Sequence, residues 1–594
     1  MPPATKPSAA TPALLLPLAA LLAIHPLLAH GNACGQDFSF HLRSWLDAAQ
    51  QLRHGTLYPH WAYSPAWNAG EPRFLFYPPL SWMLGALLTL LLPVAAAPII
   101  YIFLALTASG LTMFRLARHF VAPPAALLAS AFYLANPYML FNAFERSAFA
   151  ELLAAAWIPL LLLAVLRERP TLREVAIPIA LLWLTNAPAA VIGCYLLALI
   201  AIVRVIAAMR SASSPNAEAS ASSGTSKREG LLRLASTYLA GTLLGLALSA
   251  IYLVPAAFER RYIQVDMAII PNLRFQDNFL FDRTADAPHN IVNTTVSLLA
   301  LSMLALTVST LSALLLSRSR PEAPAVRALP SLLALTTLVI VLLLVPLSTP
   351  LWQHLPELAY LQFPWRLLTV LAVVLALALA LFFNRLTRAI PSWTALVFTL
   401  ALTVLGYRLY AHPCDPSGGP AAIAALFRTH HGVLPTDEYT PTDADNDVLR
   451  TNLPGYWLAA DPNASAPNTT PTAAELNPSL QTDDTPVPSS QTLSAPAPHH
   501  LELNLTQPAF LILHLRDYPN WRVTVHYPHE FDPDHPLHLQ RDDGLLAIQL
   551  PAGPSIIDIT WHRTWDQNLG LALSVAGLLA LGLTFRLRRH VESS

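Results

Sequence analysis

The stretch LLTVLAVVLALALALFF, Leu367–Phe383, decides what kind of protein this is. It carries no charge, is bracketed by Arg366 and Arg385, and at 1.5 Å per helical residue reaches about 26 Å, close to the roughly 30 Å of a bilayer's hydrocarbon core. Comparable runs recur at Ile291–Leu316, Leu329–Ser348 and Leu569–Phe585. Across 594 residues, 54% are hydrophobic and 12% charged, against roughly 25% charged in a soluble domain. A net charge of −1 with pI near 7.1 argues against a nucleic-acid partner, which would need a basic stripe. The first apolar run, Thr11 to Ala29, has one flanking lysine, Lys6, and no small-residue cleavage pattern, so it reads as a retained span.

Basic residues set the expected topology, because cytoplasmic loops collect Lys and Arg. They fall at Arg115 and Arg118, at Arg167, Arg169 and Arg173, from Arg204 through Arg233, at Arg318, Arg320 and Arg327, at Arg385 and Arg388, and at Arg586, Arg588 and Arg589. The alternation holds only if residues 80–92, between Pro78-Pro79 and Pro93, do not span. Thirteen helical residues cover about 20 Å, short for a bilayer, so this piece is expected to be interfacial or re-entrant. The expectation is an all-α polytopic membrane bundle of about twelve spanning helices, in the cell (inner) membrane, with both termini cytoplasmic. Residues 1–410 form the membrane domain, with an interfacial first outer loop at 30–93 and a flexible cytoplasmic linker at 208–230.

Residues 411–563 then lie outside, and 564–594 form a last span with a basic tail. The middle of the outer region, about 459–500, is loaded with Pro, Ser, Thr, Asn and Asp and is expected to be a disordered insert. Beyond it the residues alternate as in strands: Leu501, Leu503 and Leu505, then Trp521, Val523 and Val525, then Ile557, Ile559 and Trp561. Turn residues such as Asp542-Asp543-Gly544 separate the runs, which points to a small extracytoplasmic β-sandwich near the C-terminus.

Chemistry-capable residues gather in the outer loops. Phe38, Leu42, Trp45, Ala49 and Leu52 are spaced 4, 3, 4 and 3, an apolar helical stripe expected to lie on the membrane surface. Asp37 and His41 share one flank of that helix, where a carboxylate beside a groove can act as general base toward a hydroxyl. The plainer alternative is a solvated Asp at a helix start, favoured by the dipole. His60 and Arg73 in the same loop are candidates to meet a phosphate. Arg146 and Glu151 stand at the junction of two runs, where a local ion pair is the plainer alternative. Arg366 either snorkels as an anchor or binds a lipid phosphate through its two-point fork. No metal site is expected, since Asp37, His41 and Glu145 match no standard ligand spacing. Three cysteines are too few for a disulfide framework. Cys34 and Cys414 should both face an oxidising compartment, and whether they pair is open at this level.

A first span followed by Asp37 and His41, then Tyr58-Pro59-His60-Trp61 and Tyr77-Pro78-Pro79-Leu80, resembles the GT-C-fold membrane glycosyltransferases. Arg146-Ser147-Ala148-Phe149-Ala150-Glu151 and Gln362–Arg366 resemble a bacterial membrane family labelled 6-pyruvoyl-tetrahydropterin synthase-related, although no residues for pterin chemistry are evident. Asp517-Tyr518-Pro519-Asn520-Trp521 is similar to the outer domain of YfhO-like proteins. The resemblance implies transfer of a sugar from a polyprenyl-phosphate donor to an envelope glycan or protein, among membrane lipids and with no cofactor. Asp37 would be the catalytic base, Arg73, Arg146 and Arg366 would hold phosphate, and His41 and Glu151 would orient. Many GT-C enzymes carry paired acids in the first loop, whereas here Phe38 follows Asp37. Two other readings stand beside this one. A non-catalytic protein could bind or help assemble lipid-linked glycans; a transporter would instead place ionisable residues at the midplane, where this sequence has few.

Overall fold

The computed structural model describes residues 10–212, 221–317, 324–386, 391, 393–451, 453–465, 499–527 and 538–593. Among these, nine helices are long and apolar enough to cross a membrane, and ten when the pair Arg327–Leu343 and Pro346–His354, bent by 89°, counts as one span. The expected count of about twelve is reached only by adding Leu172–Thr185 and Thr394–Tyr410, which have 14 and 17 residues. The first of these stops short because Asn186 breaks into extended geometry and caps the next helix. Helix reaches Ala212 and resumes at Ala221, so of the linker expected at 208–230, residues 213–220 lie outside the described residues.

The helix expected at 80–92 is present as Pro79–Leu91. It covers the apolar stripe of the Phe38–Arg53 helix, whose Phe38, Leu42, Trp45 and Ala49 are buried in protein. Gly85 makes this approach possible, since a Cβ there would lie 2.1 Å from the Trp45 ring. On its other side Trp45 stacks on Tyr101, with centroids 5.1 Å apart.

The outer domain is a pair of antiparallel three-stranded sheets. Strands β1 (Tyr456–Ala459), β2 (His500–Leu505), β3 (Ala509–Arg516), β4 (Trp521–His526), β5 (Leu545–Leu550) and β6 (Gly553–Trp561) pair in the orders β1-β3-β5 and β2-β6-β4. Leu501, Leu503 and Leu505 of β2 and Trp521, Val523 and Val525 of β4 point inward, as period-two alternation requires. β1 and β2 flank the Pro- and Ser-rich insert, most of which, 466–498, lies outside the described residues. The strand domain shares its core with the loop that follows the first span. Trp61, Ala66, Ala69 and Leu75 of the first outer loop enter its core, and Arg516 N–H donates to Ala69 O at 3.0 Å.

Cys34 and Cys414 form a disulfide, with Cα atoms 4.8 Å apart. It fastens the end of the first span to the entry of the outer domain, where Cys34 N–H donates to His412 O at 2.8 Å.

Candidate functional site

Between the helical bundle and the outer domain lies a cavity of about 630 Å³. Asp37, His41, Arg146, Glu151 and Arg366 all line it. Sequence positions more than 300 apart thus meet because three span junctions end at one level.

Glu151, in the first turn of the Phe149–Ala154 helix, is the hub. Its Oε2 accepts from Arg146 Nη1 at 2.7 Å and lies 3.5 Å from Arg366 Nε; its Oε1 accepts from Tyr138 Oη at 2.5 Å. The guanidinium of Arg146 is 4.7 Å from the Trp365 ring, and that of Arg366 is 4.9 Å from Phe363. Side-chain exposure is 4% for Arg146 and Glu151 and 13% for Arg366, so the triad forms wall rather than mobile surface. Two guanidinium groups against one carboxylate leave one net positive charge on that wall, the complement of an anionic ligand. Burial works against the charge on Arg146, but Glu151 and Asp37 outweigh it and raise its pKa.

Asp37 precedes the Phe38–Arg53 helix and presents its carboxylate to the cavity with 45% exposure, its Oδ2 3.7 Å from Arg146 Nη2. Enclosure pushes its pKa up, while Arg146 and Arg366 pull it down; the net shift is upward. A carboxylate held this way is a stronger base than a free one and still reaches the cavity. Its backbone is fixed from several sides. Asp37 N–H donates to Arg146 O at 2.8 Å, and Gly35 N–H donates to Ser147 Oγ at 3.0 Å. Ser147 holds φ at 52° to make that turn, and a Cβ on Gly35 would lie 2.2 Å from Glu145 O. His41 is buried among Tyr77, Phe149 and Phe40, and burial lowers its pKa to about 3, so it meets any ligand as a neutral ring.

Arg73 and His60 are not among the residues lining this cavity. Arg73 is buried and donates to Glu71 Oε1 at 2.8 Å, Ser44 Oγ at 2.8 Å and Thr436 Oγ1 at 2.9 Å. With Glu71 Oε2 accepting from Thr436 N–H at 2.9 Å, it pins the 436–439 segment over the cavity. His60 stacks on Trp561, with centroids 6.0 Å apart, and burial lowers its pKa to about 4.

That pinned segment supplies residues that sequence reading missed. Thr436, Glu438 and Tyr439 line the cavity from the outer domain, and burial raises the Glu438 pKa to about 7. The segment has no periodicity, and its short apolar flank Val433-Leu434 does not mark it as a cavity wall. Asn186, Tyr252, Tyr360 and Gln362 complete a rim of amide and phenol groups suited to a hydroxyl-rich ligand, with Arg260 and Glu357 paired at 3.1 Å nearby. Among the described residues no cluster of three or more His, Cys, Asp or Glu side chains is placed to hold a metal ion.

No protein-family model and no curated protein matches the chain. Two solved structures of a mutant arabinofuranosyltransferase AftD from mycobacteria are similar to it, each with a TM-score of 0.39, at 16% and 17% identity over 66% and 68% of this chain. The match spans 27% and 28% of those longer chains. A likeness of that degree decides neither fold nor activity, and the functional reading rests on the cavity.

Proposed function

We propose that this is a membrane glycosyltransferase-like protein that moves a sugar from a polyprenyl-phosphate donor to an envelope acceptor on the extracytoplasmic face of the cell (inner) membrane. The observation that carries this reading is the convergence of Asp37, Arg146 and Arg366 on one cavity at a membrane-domain boundary. Scattered over the rim, the same residues would favour a non-catalytic protein.

In the proposed step, the Asp37 carboxylate takes the proton of an acceptor hydroxyl as that oxygen bonds to the anomeric carbon. The bond from that carbon to the phosphate oxygen breaks, and its electron pair leaves on polyprenyl phosphate. The net positive wall of Arg146, Arg366 and Glu151 would stabilise the negative charge gathering there, an electrostatic role that cationic side chains can fill. Arg73 would act as a positioning residue through Thr436, and neutral His41 as part of the pocket wall. The narrower likeness to YfhO-like and 6-pyruvoyl-tetrahydropterin synthase-related proteins fits the same residue runs. It adds no pterin chemistry, since the cavity offers a hub of charge and hydroxyl partners. The arginine-rich loops support cytoplasmic termini in this reading, which then puts the disulfide on the outer side.

The test is transfer by the purified full chain from a labelled polyprenyl-phosphate sugar pool to envelope extract, with glycan mass spectrometry of a deletion strain alongside. Transfer that needs more donor in Arg366→Ala and is lost in Asp37→Asn supports the reading. Saturable donor binding without turnover under all conditions would move the protein to the non-catalytic class.

A further inference from the structure

The cavity has two sides of opposite charge. Its bundle side carries the net positive wall of Arg146, Arg366 and Glu151, and its outer-domain side carries Glu438. The bonds from Arg73 and Glu71 to Thr436 fix this outer segment, and Tyr439 stacks on Phe76 with centroids 6.0 Å apart. Of the segment's two acids, Asp437 is exposed and accepts from Asn446 Nδ2 at 2.8 Å, whereas Glu438 lines the cavity.

Among the described residues no other residue donates to the Glu438 carboxylate, which meets only its own backbone N–H. The charged groups that bear on it most are Glu71, Arg73 and Asp437. The acids outnumber the arginine, and Arg73 is already bonded to Glu71, Ser44 and Thr436. A carboxyl held on a fixed segment, facing a cavity and lacking a protein partner, is completed by a ligand that hydrogen-bonds to it. We infer that Glu438 and Tyr439 seat an uncharged glycan acceptor, their carboxyl and phenol groups binding its ring hydroxyls.

Tyr77 links this seat to the reacting end, because it lies close enough to feel the charge of Asp37 and to bear on Tyr439. A glycan held at Glu438 thus extends past Tyr77 toward the Asp37 carboxylate, and the arginine wall is left for the donor's phosphate. An anionic acceptor would be repelled at this seat by Glu438, Glu71 and Asp437. A cationic acceptor would need Glu438 ionised. Burial raises that carboxyl's pKa to about 7, so near neutral pH about half of the molecules carry it protonated. A protonated carboxyl both donates and accepts, which a sugar hydroxyl can use and an ammonium group cannot. That this glycan receives the sugar rests on the transfer reading; that it binds here does not.

The experiment uses the purified full chain in detergent and fluorescently tagged envelope oligosaccharides, parted by ion exchange into uncharged, anionic and cationic pools. Expected is saturable binding of the uncharged pool, weakened about 10–100-fold in Glu438→Ala, the range for a hydrogen bond to a charged group. Glu438→Gln should recover part of that loss, because its amide still donates and accepts. Neither variant should melt at a lower temperature, since the carboxylate holds no other residue. In transfer assays Glu438→Ala should raise the acceptor concentration needed and leave the donor concentration needed where it was, whereas a merely structural residue would move both. Preference for the anionic or the cationic pool would overturn the inference. So would uncharged-pool binding that is absent in wild type or undiminished in Glu438→Ala. Binding that depends on Glu438 without any turnover keeps the glycan seat and sinks the transfer reading; turnover on the anionic pool does the reverse.

Discussion

Arg146 Nη1 donates to Glu151 Oε2 at 2.7 Å, with both side chains only 4% exposed. A buried pair of this kind adds little net stability over an apolar replacement, yet removing one partner is expensive because the other charge is stranded. Here the stranding is doubled, since Glu151 also faces Arg366 at 3.5 Å.

Glu151→Gln keeps shape and leaves two guanidinium groups without their shared counter-charge. It should lower stability by about 3–5 kcal/mol, read as a drop in melting temperature. Combining it with Arg366→Ala should recover part of that loss, a coupling that a double-mutant cycle measures. Additive losses would mean that the two sites do not interact.

The disulfide gives a redox prediction. Cys34→Ser, Cys414→Ser and the double variant should be equally destabilised, by about 2–4 kcal/mol, because each removes the same link across 380 residues. Dithiothreitol should lower the wild-type melting temperature and leave the variants unmoved. Transfer activity should fall together with stability, since Cys34 stands three residues before Asp37 and the Gly35–Ser147 bond hangs between them.

Topology is open to labelling from outside in a background where Cys194 is replaced. Phe120→Cys, after the Ala97–Ala117 helix and its arginines, should not react with an impermeant maleimide. Ser39→Cys, exposed beside the cavity residues, should. Efficient labelling at 120 would invert every loop.

Much of this was legible along the chain because the signal was local. Apolar runs end in charges, and Arg146 and Arg366 stand at such ends, with Asp37 a few residues beyond another. Alternation at Leu501, Leu503 and Leu505 marked β2 for the same reason: a period of two is visible without knowing the partner. What escaped was pairing. Arg73 looked available until Glu71, Ser44 and Thr436 were seen to occupy it, and one of those partners lies 363 residues away. Glu438 lines the cavity two residues beyond that contact. A helix end decided by one residue is equally hard to read: Asn186 closes Leu172–Thr185 after 14 residues.

Asp37 carries the decisive prediction. As a general base it must be ionised, and its pKa lies above the ordinary value of 3.8 because enclosure outweighs Arg146 and Arg366. Transfer should therefore rise with pH through a limb placed above the usual aspartate range. Stability runs the other way: a carboxyl whose folded pKa is raised favours the fold below its unfolded pKa, and that contribution fades as pH climbs through the folded value. Asp37→Asn should thus fold at least as well as wild type at neutral pH, while losing about 10²–10⁴-fold in rate and the acid limb with it. Gly35→Ala should lose rate by a different route. Its new Cβ would press on Glu145 O and displace the backbone that presents Asp37, so rate falls while the acid limb remains. Arg366→Ala and Arg366→Lys should raise the donor concentration needed, lysine less so, because it keeps the charge without the fork. The pH profiles of wild type, Asp37→Asn and Gly35→Ala, measured at matched expression and saturating donor, distinguish these roles. Full activity in Asp37→Asn with an unchanged profile would remove the carboxylate from the reaction and leave the cavity as a binding site.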